Sequence, residues 1–226
     1  MNFRRNLIAG VAVAATFALA STAANAAAFQ NGSFETNTLN ATQLNQALVS
    51  PGFTTLGAGD TSITGWTVGG NTIDYIGTYW TPADGTYSLD MSGDSPGSIS
   101  QTFDTVSGQT YNVGFDLAGN PAGPPIVKTM DVDVGGAPTP FTFDTTGATL
   151  SNMGWRNLVY TFTASGASTT LTFTSLDTPG TAYGPALDNV SLTAVPEPAT
   201  WAMMILGIGL IGAGMRLSAG KKQALA

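Results

Sequence analysis

The strongest constraint on this chain is a two-residue alternation of apolar and polar side chains that recurs through its middle. Tyr111, Val113, Phe115 and Leu117 alternate with Asn112, Gly114 and Asp116, which puts four apolar side chains on one face of an extended segment. The same period runs through Tyr87, Leu89 and Met91; Ile99, Gln101 and Phe103; Met130, Val132 and Val134; Leu158, Tyr160 and Phe162; and Thr169, Leu171 and Phe173. Between these runs stand Asp84-Gly85, Ser92 to Gly97, Ser107-Gly108, Gly119-Asn120-Pro121, Gly135-Gly136 and Ser165-Gly166. Gly, Pro, Asn and Asp are the residues that reverse a chain, so the pattern predicts about ten short antiparallel strands in an all-β sandwich. A helix is expected only near Thr42 to Val49, and Asn37 to Gly59 reads as a long surface excursion. No repeat of fixed period is present.

The two ends have a different composition. Arg4 and Arg5, the apolar run Leu7 to Ala20 and the small residues up to Ala26 make the three parts of a secretory signal peptide over residues 1–26. At the other end, Val195-Pro196-Glu197-Pro198 precedes an apolar stretch over residues 199–215, and Arg216, Lys221 and Lys222 lie in the tail, residues 216–226. Seventeen apolar residues followed by positive charge predict a single transmembrane helix with its C-terminus in the cytoplasm. A soluble helix there would carry Gly207, Gly209, Gly212 and Gly214, each at about 1 kcal/mol relative to Ala. One domain, residues 27–194, is left between the ends.

From Ala27 to Pro198, Lys128 and Arg156 are the only cations against fourteen acids, a net charge of −12. Such a surface repels phosphate backbones and argues against nucleic acid as a partner. The chain has neither Cys nor His, which removes thiolate chemistry and the side chain most used as a base near neutral pH. Serine hydrolysis is excluded on the same ground. Glu35 and Glu197 are the only glutamates, and Asp131 and Asp133 share the solvent face of one strand, so a glycosidase pair of carboxylates is not evident.

Val195-Pro196-Glu197-Pro198-Ala199, the glycine-containing apolar helix and the basic end resemble the PEP-CTERM sorting signal of Gram-negative bacteria. The resemblance implies an exosortase as partner, export across the inner membrane, a single-pass membrane stage before the tail is processed, and a place at the cell surface or in a biofilm matrix. Asn31-Gly32-Ser33-Phe34-Glu35, Gly97 to Phe103 and Leu187-Asp188-Asn189-Val190-Ser191-Leu192 are together similar to the choice-of-anchor C family and its galactose-binding-like relatives. That second resemblance implies a jelly roll of the carbohydrate-binding type with no catalytic residues to carry over. It also places Glu35 just after the first strand and Asp188 at the start of the last, so the two are expected to hold one structural calcium ion, whose ligands are oxygens.

Aromatic faces stack on sugar rings while Asp and Asn hydrogen-bond the hydroxyls. Trp66 and Trp155, at strand starts, read as core. Tyr79 and Trp80, beside the turn at Asp84-Gly85, read as an exposed platform, with Asp74 and Asp84 as polar partners. The expectation is a noncatalytic exported protein that binds polysaccharide. The alternatives are a self-associating matrix protein and, more weakly, a glycoside hydrolase.

Overall fold

The computed structural model describes residues 28–196 and 204–209. The alternating runs form two antiparallel sheets. The first has six strands in the order β1 (Phe53–Gly57), β3 (Thr72–Ile76), β4 (Ser88–Asp90), β11 (Pro185–Ala194), β6 (Thr110–Gly119) and β9 (Arg156–Thr163). The second has five, in the order β2 (Thr67–Gly70), β5 (Gly97–Asp104), β10 (Ser168–Ser175), β7 (Val127–Val134) and β8 (Thr139–Asp144). The inner faces pack on each other, as the alternation requires. Tyr111, Val113, Phe115 and Leu117 of β6 are all buried, and Phe115 meets Phe173 of β10 edge-on at 5.4 Å between ring centroids. Trp66 sits in the same core, and its Nε1 donates to the Asn31 carbonyl.

A helix, α1 (Ala41–Leu48), lies where one is expected. Asn40 accepts from the amides of Thr42 and Gln43, and the Gln43 side chain returns a bond to the Asn40 amide. This capping box satisfies amides that a short helix leaves open. The reading of residues 37–59 as a surface excursion is wrong, because Leu39, Ala47 and Leu56 are core residues and β1 closes one edge of the six-stranded sheet. Phe53 and Leu56 are three residues apart and so lie on opposite faces of β1, which hid the strand.

The three motifs of the second resemblance meet in space. A Cβ on Gly32 would lie 1.7 Å from the Val190 carbonyl oxygen, so only glycine lets the N-terminal segment lie on β11. Val190 in turn donates its amide to the Gly32 carbonyl at 2.8 Å. Gln101 of β5, buried, bonds both the amide and the carbonyl of Gln30. The motifs are therefore a structural joint between the ends of the domain.

Strands β3 and β4 are buried on both faces. Their inner face meets the second sheet, while the loops after β3, after β4 and before β11 fold over the outer face. At the far end, Val195 donates to the Thr110 carbonyl at 2.8 Å, and this is where the sandwich stops. Residues 204–209 are helical, with Met204, Ile205, Leu206 and Ile208 exposed. No helix among the described residues is long and apolar enough to cross a membrane. The signal peptide, Glu197, Pro198 and most of the expected membrane span lie outside the described residues.

Candidate functional site

The outer face of the six-stranded sheet carries a row of polar residues set by strand register. Thr55 of β1 pairs with Asp74 of β3, and Asp74 pairs with Asp90 of β4. Directly opposed residues have Cβ atoms about 5 Å apart. The two carboxylates thus lie side by side on a sheet surface that the loops leave partly open. The opening is a cleft of about 200 Å³. Asp74 and Asp90 form its floor, Phe53, Tyr79 and Tyr183 its aromatic walls, and Asp94 its acidic rim.

The two floor carboxylates differ in their partners. Asp90 is fully buried and saturated: Oδ1 accepts from the amides of Ser92 and Gly184, and Oδ2 from the Asn120 side-chain amide at 2.8 Å. It fastens three loops to β4. Asp74 is 7% exposed, and Thr55 donates to its Oδ1 at 2.6 Å. Its Oδ2 has no hydrogen-bond partner among the described residues and is open to the cleft. Burial pushes the Asp90 carboxyl up to about 8, against the pull of its donors, and pushes Asp74 up to about 6, with the Asp94 charge adding to the effect. Burial also raises the Tyr79 hydroxyl, helped by Tyr183 and by the charges of Asp90 and Asp74.

Lys128 holds the far wall. It is completely buried, and its ammonium donates to the carbonyls of Gly123 and Tyr183, joining the loop after β6 to the loop before β11. Burial lowers its pKa, and the charges of Asp177 and Asp90 oppose that. The Tyr183 ring lies so close to Gly123 that a Cβ there would come within 2.2 Å of it. A ring seated on bare backbone is held in orientation.

The structure brings Asp74 and Tyr79 into the cleft but not the other two expected ligand residues. Trp80 is 4% exposed and its Nε1 donates to Ser88 Oγ at 2.8 Å. It is a core residue of the outer layer and presents no face to a ligand. Asp84 lies on an exposed turn away from the cleft. Asp90, Asp94, Phe53 and Tyr183 complete the cleft, and nothing in their sequence context marks them. Lys128 had a signal, since it shares the inward phase of Met130, Val132 and Val134, where a lysine has to find partners.

Glu35 and Asp188 do converge, but on amides. Glu35 Oε1 accepts from Thr86 and Tyr87, Asp188 Oδ2 from Ala83 and Asp84, and Asp188 Oδ1 from Asn189. Three of the four carboxylate oxygens therefore face N–H dipoles, whose positive ends would repel a cation. No group of three or more acidic residues arranged to hold a metal occurs among the described residues. The pair does not fit the calcium site expected of it, which needs six to eight oxygens.

The protein family of unknown function DUF642 matches residues 27–193, the whole sandwich. The chain belongs to the DUF642 family. A PEP-CTERM protein-sorting motif matches residues 194–218, beginning where β11 ends. Halomucin of Haloquadratum walsbyi is 31% identical over 197 residues, 84% of this chain, and this chain spans 2% of that protein's length. Among solved structures, the DUF642 sandwich is similar to a family 35 carbohydrate-binding module from Clostridium thermocellum, with a TM-score of 0.43 and 14% identity over 63% of this chain and 99% of that one. A family 35 module from Paenibacillus barcinonensis gives 0.39 and 23% over 63% and 99%.

Proposed function

We propose that this is an exported, noncatalytic surface protein that binds a polysaccharide in the cleft over Asp74 and Asp90, and that an exosortase processes its tail. The observation that carries the reading is the cleft itself: rings on its walls, a buried carboxylate with a free oxygen on its floor, and loops clamped in place by Asp90 and Lys128. Rings take the faces of a sugar and the carboxylate its hydroxyls. A volume of about 200 Å³ is below that of sites enclosing a drug-sized ligand and suits one saccharide unit of a chain running across the surface. Of two larger hollows, the 370 Å³ one between β9 and β10 has no acid in its lining, and the 270 Å³ one beside β8 carries Asp144 together with Arg156 and no tyrosine or tryptophan.

Glycoside hydrolysis needs two carboxyl groups free to act on the sugar. Asp90 has its oxygens committed to three donors, which favours binding over turnover. The sorting motif supports export, surface sorting and a membrane-bound stage before processing.

The test is affinity electrophoresis of the purified exported protein through a panel of polysaccharides. At least one should retard it, and Tyr79→Ala or Tyr183→Ala should each weaken retention about 5- to 10-fold, the loss of one stacking ring. Free migration in every gel, or retention indifferent to both substitutions, overturns the assignment.

A further inference from the structure

The cleft has a feature that a site for uncharged sugars does not need. Asp74, 7% exposed, has an oxygen with no partner facing the opening, and its neighbours on every side are acidic or neutral. Asp90 faces it from β4, Asp94 from the loop beyond, Thr55 from β1, and Tyr79 and Tyr183 from the walls. Among the described residues the cation beside the cleft is Lys128, which lies behind the wall with its ammonium committed to two carbonyls. A carboxylate so placed lacks a counter-charge. Burial first, and the Asp94 charge after it, raise its pKa.

Aromatic rings beside an uncompensated carboxylate make a site for a protonated amine, because the ring faces are electron-rich and attract a cation seated within about 6 Å. Tyr79 and Tyr183 are the rings in question, and Phe53 packs edge-on against Tyr79 at 5.4 Å to keep it in place. Resting on the polysaccharide-binding reading above, we infer that the ligand unit seated in the cleft is a cationic amino sugar, its ammonium paired with Asp74 Oδ2 and capped by the two tyrosines, as in a polysaccharide with free amino groups. An anionic glycan is disfavoured by the same carboxylates. An N-acetylated sugar offers no charge and leaves Asp74 unpaired.

The experiment measures calorimetric affinity of the purified exported protein at pH 6.5 for three hexasaccharides: one of glucosamine, its fully N-acetylated counterpart, and one of neutral glucose. The glucosamine oligomer should bind at least ten times more tightly than the other two. Asp74→Asn, in which the side-chain carbonyl still accepts from Thr55, should abolish that preference. Asp94→Asn at the exposed rim should reduce it about threefold, and serves if the Asp74 variant does not fold. Asp84→Asn removes one charge from a turn outside the cleft and should leave it unchanged, which separates a site from attraction to an acidic surface. Equal affinity for all three oligomers, or a preference that survives both cleft substitutions, overturns the amine assignment. Tyr79-dependent binding of the neutral or N-acetylated oligomer alone overturns it too while leaving the binding reading in place, and absence of all binding here and in the polysaccharide panel removes both.

Discussion

Glu35 and Asp188, 153 positions apart, hold the same five-residue loop, one at each end. Glu35 Oε1 takes the amides of Thr86 and Tyr87, and Asp188 Oδ2 those of Ala83 and Asp84, all between 2.8 and 3.0 Å. The loop they hold closes over Asp188, which is fully buried. Buried amides that lose an acceptor cost about 1–3 kcal/mol each, and more where the acceptor is charged. Asp188→Ala should therefore destabilise the domain by about 3 kcal/mol or more in urea unfolding. Glu35→Ala should cost less, since the Glu35–Thr86 bond is exposed. A calcium-bridged pair would behave differently. Melting curves in excess chelator and in millimolar calcium are expected to coincide.

Gly85 completes this clamp. Its φ is +60°, and a Cβ there would lie 2.4 Å from Glu35 Oε1. Gly85→Ala combines a disfavoured backbone conformation with displacement of the carboxylate that caps the loop. It should cost about 1–3 kcal/mol and should show non-additivity with Glu35→Ala in a double-mutant cycle, since the two share one contact. Additive costs would show that the glycine acts through its backbone alone.

Much of the fold was legible because both faces of most strands report their surroundings. The inward phase of β5, β6, β7 and β10 appears as apolar side chains at most alternate positions, with Gln101 in β5 and Lys128 in β7 the polar exceptions. Strands β3 and β4 obey no such rule. Loops cover their outer face, so Asp74 and Ile76 on one side are buried as Ile73 and Tyr75 are on the other. That enclosure creates the cleft and also conceals it, since a buried Asp reads in sequence like a solvated one. Trp80 misled for the converse reason. Next to a Pro-Asp-Gly-rich turn it reads as exposed, yet the turn folds back over β4 and gives its indole N–H a partner in Ser88.

That contrast between neighbouring aromatics can be measured. Trp80→Phe keeps a ring in the outer layer and removes one hydrogen bond, so it should cost about 1 kcal/mol of stability and leave polysaccharide retention intact. Tyr79→Ala should do the opposite, weakening retention with a smaller effect on folding than a core deletion. Loss of binding in a folded Trp80→Phe protein would return the platform to Trp80.

The stability of the domain should depend on pH. Three buried carboxyls have pKa values raised above the usual range, Asp74 to about 6, Asp188 to about 7 and Asp90 to about 8, with burial the leading cause in each. Below about 3.8 folded and unfolded chains both hold these protons. Between that value and each raised pKa only the folded chain holds them, so the unfolded state binds fewer protons and stability falls as pH rises. Above the raised values both states are ionised and the loss is complete. Asp74 alone, shifted by about two units, accounts for roughly 3 kcal/mol, lost between about pH 4 and 6. The domain should therefore melt at a higher temperature at pH 5 than at pH 8, opposite to a protein whose acids are stabilised by ion pairs. Asp74→Asn removes one of the three groups and should flatten the slope below pH 6 while leaving that between pH 6 and 8. The measurement is thermal unfolding at half-unit steps from pH 4.5 to 8.5. Melting temperatures that rise across the range would show that the amide donors around Asp90 and Asp188 outweigh burial, and that both are ionised in the folded protein.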